Sequence, residues 1–295
     1  MNLLSLLNQL AAADASEQPT ARRGALSQLA RTAAATLPLA LGAVAQPAVA
    51  QRAGTQLDAL LLLLQVEWLQ DEFYSRVLGT TPVSPPVSAA LVPAAIQPDL
   101  TLIRAQQRQH IVQFEALVAS SGGVLPARPR YDFTGSRGGA QAAAFADVFS
   151  NTDTMLAVAQ TLEDLAVRAY LGQMVLLQSN DALLTLATRG LATEGRHAAH
   201  LRQLRRQRGA SVKHWVSGTD NGGPVPPTTA PVYAGEDRTR QLVTVTREVD
   251  LSTLTPLLPI TPALTDAEKR AAATEAIDEP LTASAVQAVV ALFTA

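Results

Sequence analysis

The 295-residue chain is 47% apolar and poor in aromatics, and it carries a formal net charge of −2. The length is ample for a buried core. The Ala- and Leu-rich balance favours helices packed on helices, while the charge excludes a wholesale nucleic-acid binder, which needs Lys and Arg in excess. Without cysteine there is no disulfide, no thiolate zinc site and no Cys nucleophile, so any metal site must use His and carboxylates.

In chain order, Arg22-Arg23 precede a mostly apolar stretch, Ala33 to Ala45, that ends at Ala48-Val49-Ala50 before Gln51. Small residues at these last positions suit a signal peptidase, so residues 1–50 read as a cleaved export signal. Twin arginines of this kind resemble those of proteins exported already folded, which implies a periplasmic or secreted location. The stretch is too short for a membrane span and is broken by Pro38, which argues against a permanent anchor. Gly24 and Ala25 depart from the usual signal. Leucines at 3, 4, 6, 7 and 10 would form one helical face, which favours the alternative of a helical extension on a cytoplasmic protein.

Residues 51–210 carry the pattern of four long helices. The first runs from Gln56 to Leu78, apolar throughout except for Gln65, Glu67, Gln70, Asp71 and Glu72. A proline-rich loop follows. The second helix opens at Asp99 as N-cap and runs to about Ser121, where Gly122-Gly123 ends it. The connection from Val124 to Thr152 is long, with a short helix predicted over Gln141 to Phe149. Such a connection suits a bundle whose second and third helices run parallel and are joined end to end. The third helix starts after Asp153 and extends to about Gln178. The fourth continues to Arg208 and stops at Gly209. Residues 211–295 begin with Gly-, Pro- and Thr-rich linker chemistry to about Gly235. Thereafter the pattern predicts a short strand over Gln241 to Leu251 and two short helices, Thr265 to Ala276 and Thr282 to Phe293.

The fourth helix contains Glu194-Gly195-Arg196-His197, a carboxylate and an imidazole three apart on one face. Alone, such a pair is a weak signal and reads first as a surface or capping pair. The first and third helices add Glu67 and Glu163, each inside a largely apolar run, where a lone carboxylate must be paired, bound to metal or turned to solvent. The second helix adds His110, with Gln107 three residues before it. In chain order this is the two-metal carboxylate/histidine pattern, one Glu from each of two helices and Glu-x-x-His from each of the others, with one Glu replaced by Gln.

The segments 66–74, 162–172 and 194–199, with Tyr233-Ala234-Gly235-Glu236-Asp237 and Asp278-Glu279-Pro280-Leu281-Thr282, resemble the ferritin-like domain proteins that include the desiccation-related proteins. The resemblance implies an all-α fold: a ferritin-like four-helix bundle with a long crossover between helices two and three. It also implies a mostly irregular and helical C-terminal extension packed on that bundle. It further implies iron or manganese held by Glu67, His110, Glu163, Glu194 and His197, with weak oxidase or peroxide-related activity. Gln107 departs from the family's Glu. Three carboxylates do not neutralise two divalent ions, and an amide lends oxygen without charge. The expectation is therefore a single-metal site or one weakened position, or else a nearly neutral metal-free cluster in which Gln107 donates to Glu67 or Glu194.

Tyr74 and Tyr170 lie seven residues after Glu67 and Glu163, on the same helix faces, and read either as hydrogen-bonding support to the metal site or as core tyrosines. His200, three after His197, reads first as a polar helix-face residue, with an extra ligand or a supporting base as the alternatives; Glu72 and Glu115 read as solvated. Arg202, Arg205, Arg206 and Arg208 suit a helix C-terminus and do not indicate nucleic acid. The competing function is a non-enzymatic envelope or desiccation-stress protein that keeps the bundle as a scaffold and works through self-association or an envelope partner.

Overall fold

The computed structural model describes residues 54–81, 87–88, 90–220, 226, 228–244, 247–253 and 264–295; the twin arginines and the export signal lie outside them. Among the described residues the fold is all-α apart from one hairpin. Four long helices dominate: α1 (Gln56–Val77), α2 (Gln97–Ser120), α3 (Thr152–Leu177) and α4 (Asp181–Gln207).

Each helix start follows from local chemistry. Thr55 and Asp58 form a reciprocal capping box at α1, and Asn151 and Asn180 accept backbone N–H bonds at α3 and α4. The start of α2 differs from expectation. Asp99 lies inside its first turn, and Pro98, pre-set to helical φ, replaces a side-chain cap. Gly122 and Gly209 follow α2 and α4 with φ of 73° and 96°, a left-handed turn that glycine enters without steric cost.

Residue pairs fix the directions. Glu67 meets His110 while Ser75 meets Arg104, so α1 and α2 are antiparallel. Glu67 meets Tyr170 while Tyr74 meets Glu163, so α1 and α3 are antiparallel. Gln160 meets Arg205 while Glu163 meets His197, so α3 and α4 are antiparallel. It follows that α2 and α3 run parallel, as the long connection between them requires.

The helices divide into two kinds. In α2 the buried positions are Leu100, Ile103, Gln107, Ile111, Phe114 and Val118, a strict three-four spacing that leaves the rest of the helix to solvent. By contrast α1 and α3 are buried on most sides, which explains their nearly continuous apolar sequence. The cover over their outer sides includes α6 (Ala283–Leu292), which packs against both.

The crossover over residues 121–151 holds Phe133 fully buried, edge-on to Phe73 at 5.1 Å and beside Phe293 at 6.0 Å. Its backbone pairs with the end of the chain: Asp132 N donates to Phe293 O and Ala295 N to Arg130 O, around an isolated bridge between Tyr131 and Thr294. The short helix predicted over Gln141 to Phe149 is instead a run of turns, closed by Val148 N on Phe145 O, with Phe145 and Val148 turned into the core.

The C-terminal segment is stapled to α3. At Gly172 the backbone of Leu281 lies so close that a Cβ would stand 1.9 Å from its carbonyl oxygen, and Leu281 N donates to Arg168 O. The short helix α5 (Asp266–Thr274) starts at the Thr265–Glu268 capping box. The strand predicted over Gln241 to Leu251 is two strands, β1 (Arg240–Thr244) and β2 (Arg247–Asp250), paired antiparallel as a hairpin. Folding back supplies each strand with the ladder partner that a single strand would lack. Among the described residues, no helix is long and apolar enough to cross a membrane.

Candidate metal centre

Midway along the bundle, the apolar interior is interrupted by three carboxylates, Glu67, Glu163 and Glu194, none with any solvent exposure. Two histidines face them through Nδ1. Two groups of donor atoms result, Glu67, His110 and Glu194 in one and Glu163, Glu194 and His197 in the other, each with its atoms within 4.8 Å of one another. Glu194 is common to both. Its Oε1 lies 3.0 Å from His110 Nδ1 and its Oε2 3.6 Å from His197 Nδ1. The i, i+3 spacing on α4 brings Glu194 and His197 to the same point, and the antiparallel pairing of α1 with α2 brings His110 to Glu67 at 3.3 Å.

A pseudo-twofold axis relates the two halves. Tyr74 on α1 donates to Glu163 Oε1 on α3 at 2.5 Å, and Tyr170 on α3 donates to Glu67 Oε1 on α1. Each tyrosine thus crosses to the opposite helix. Burial raises both phenols well above their ordinary range, so they remain donors. Gly190 makes the second bond feasible: a Cβ there would stand 2.6 Å from Tyr170 Cε1.

The amides break the symmetry. Gln107 Nε2 donates to Glu194 Oε2 at 3.1 Å and to Glu163 Oε2 at 3.2 Å; of the two partners expected for it, Glu194 is found and Glu67 is replaced by Glu163. Gln70, fully buried and one turn after Glu67, donates to the same two oxygens at 2.8 and 3.0 Å. Both amides therefore converge on the half that contains His197. Sequence reasoning passed over Gln70 because it stands in a run of polar residues with Asp71 and Glu72.

The electrostatics follow from this burial. Burial, with Glu194 alongside, pushes Glu67 up to about 7 and Glu163 up to about 8. Burial opposes the charge on Glu194 as well, yet the flanking imidazoles hold it well below the carboxylate range. Burial likewise opposes charge on the imidazoles, but the carboxylates overcome it and push His110 and His197 up to about 10. One carboxylate held ionised between two rings that the carboxylates keep protonated is a cluster whose charges are balanced by protons.

The donor set fits a hard divalent cation. Glu194 Oε1 and His197 Nδ1 are buried and lack a partner with hydrogen-bond geometry among the described residues, as are the Oε1 atoms of Gln70 and Gln107. His197 is oriented from behind, its Nε2 2.7 Å from Gln106 Oε1, an outer contact that spacing alone does not reveal. His200 is placed elsewhere, 3.0 Å from Asp99 on the half-exposed face between α4 and the start of α2. Glu115 accepts from Trp68 Nε1 at 3.2 Å and Glu72 pairs with Arg76 at 2.8 Å, so neither carboxylate is simply solvated.

A second buried polar cluster lies on the other side of α3. Arg202 bridges Asp164 at 2.6 Å and Asp220 at 2.9 Å, joined by Tyr233 on Asp164. Arg168 pairs with Glu236 at 2.8 Å and donates to Glu279 O. Arg202, read from sequence as a helix-end cation, is instead among the most buried side chains of the described residues. Its task is structural, tying the segment after α4 to the bundle.

A comparison with curated proteins finds no match. The family model described as the ferritin-like domain matches residues 55–207, the span of all four helices and the whole cluster. The chain belongs to the ferritin-like domain family.

Proposed function

We propose that the protein is a metal-binding ferritin-like protein that takes iron or manganese at its buried carboxylate/histidine cluster. The observation that carries this reading is the convergence of Glu67, Glu163, Glu194 and the Nδ1 atoms of His110 and His197 in the buried interior, where Glu194 Oε1 and His197 Nδ1 have only these ionic neighbours and no partner with hydrogen-bond geometry among the described residues. Buried carboxylates at that density are costly unless a cation or protons neutralise them. A bound iron would supply one-electron redox chemistry, and the residues here would do the rest. Glu194 would join the two halves, Tyr74 and Tyr170 would hold Glu163 and Glu67 in orientation, and Gln106 would set the ring of His197. Weak oxidase or peroxide-consuming activity is the corresponding reaction class.

Export accompanies this reading: residues 1–50 as a signal, 51–210 as the metal-binding bundle and 211–295 as its extension, in a periplasmic or secreted protein without a membrane anchor. A role without nucleic acid is supported by the fate of the basic residues at the end of α4, where Arg202 is buried and Arg208 pairs with Asp153. The scaffold reading retains one specific support, the donation of Gln70 and Gln107 into the carboxylates, which stabilises the cluster without a cation. Elemental analysis after loading with iron or manganese separates the two: an integral stoichiometry is expected, and less than about 0.2 ions per chain would sink the metal reading. Mass spectrometry of mature periplasmic protein is expected to find Gln51 as the first residue; Met1 would refute cleavage.

A further inference from the structure

The two halves of the cluster are unequal, and the inequality selects one of them. Resting on the metal-binding reading above, we propose that the native chain seats a single divalent cation at Glu67, His110 and Glu194, and that Gln70 and Gln107 act as a pair of amide plugs that keep the half formed by Glu163 and His197 free of metal.

Three observations converge. In the Glu163–His197 half, the Oε2 atoms of Glu163 and Glu194 each accept from both amides, four donations within 3.2 Å. A cation there would have to displace amide hydrogens from both carboxylates and would meet their partial positive charge. In the other half no amide intervenes: Glu194 Oε1 is buried with His110 Nδ1, at 3.0 Å, as its neighbour, while Glu67 Oε2 lies 3.3 Å from the same nitrogen. Access follows the same division. The His110 side chain keeps 14% of its surface exposed against 5% for His197, and among the described residues nothing hydrogen-bonds His110 Nε2, whereas Gln106 closes off His197 Nε2. A cation and its remaining water ligands can therefore approach past His110. Two carboxylates and one imidazole match the charge of one divalent ion and suit manganese or ferrous iron.

The pseudo-twofold axis shows where the asymmetry originates. The counterpart of Glu194 is Gln107, and the position three after Glu163 is Ala166, where α1 carries Gln70. An amide thus stands where the twofold relation would place a carboxylate, a second amide has no counterpart, and both act on the same half.

Mn(II) titration of the full-length mature protein, read by electron paramagnetic resonance and elemental analysis, tests this. One ion per chain is expected. His110→Gln and, independently, Glu67→Gln should weaken binding at least ten times more than His197→Gln and Glu163→Gln do. The double variant Gln70→Ala/Gln107→Glu should take two ions. Native protein that takes two ions, or binding that depends chiefly on His197 and Glu163, would overturn the assignment while leaving the metal-binding reading intact. Absence of bound Mn(II) in native protein and in the double variant would overturn both.

Discussion

Gly190→Ala isolates the contact on which the Glu67 orientation depends. The new Cβ would lie 2.6 Å from Tyr170 Cε1 and 3.0 Å from its Cζ and Oη, so ring or helix must give by about 0.8 Å to regain ordinary contact. Tyr170 is fully buried, with Phe114 behind it at 6.0 Å, so there is little room for the ring to retreat. Overpacking of this kind costs about 1–3 kcal/mol. Loss of the bond to the Glu67 carboxylate adds about 1.5–3 kcal/mol. The gain from replacing a helical Gly by Ala returns about 1 kcal/mol. The net expectation is a loss of roughly 1.5–5 kcal/mol, or about 3–20 °C in Tm for a domain of this size. Gly195→Ala is the control on the same helix: it is exposed with nothing near its Cβ, and it should stabilise by up to about 1 kcal/mol. Denaturant titration and calorimetry of the two variants provide the comparison. If Gly190→Ala is as harmless as Gly195→Ala, Tyr170 is not held against α4 and the argument for its role fails.

Other expectations concern charge and the C-terminal staple. In metal-free protein, Glu67 and Glu163 are raised from 4.5 to about 7 and about 8, and the histidines from 6.5 to about 10. All four bind protons more tightly folded than unfolded, so their contribution is complete at low pH and fades as pH rises through these values. Metal-free stability should therefore fall between about pH 5 and pH 10, while Mn(II) affinity rises over the same range because the cation must displace those protons; Tm against pH, with and without Mn(II), reads both, and parallel curves would count against the cluster. Arg202→Met leaves Asp164 and Asp220 buried without their cation and should cost about 3–5 kcal/mol in denaturant unfolding. Gly172→Ala places a methyl group against the Leu281 carbonyl and should free the segment around residues 278–281 to limited proteolysis with the four long helices intact; unchanged protection there would contradict the close approach.

The bundle was legible because its signals are local and long. Continuous apolar runs mark α1 and α3, and three-four spacing marks α2. Glu67 and Glu163 stood out because a carboxylate inside such a run requires an explanation. What stayed hidden depended on partners distant in the chain. Tyr74 and Tyr170 were visible beside their own glutamates, but that each serves the opposite helix follows only from the antiparallel register. Arg202 looked like a helix-end cation because its partner Asp220 stands in a Gly- and Pro-rich stretch that reads as linker. Gln70 was one polar residue among several, and only its burial and geometry distinguish it from Glu72.

The pairing of the crossover with residues 293–295 bears on how the protein is made. Synthesis proceeds from the N-terminus, so Arg130, Tyr131 and Asp132 emerge long before Phe293, Thr294 and Ala295 are available to them. Until then Phe133 lacks the Phe293 ring beside it, and the outer sides of α1 and α3 lack α6. Helices α1 to α4 can collapse early, but the apolar surface over them stays uncovered until residues 283–295 have been made, an interval in which it is exposed to aggregation.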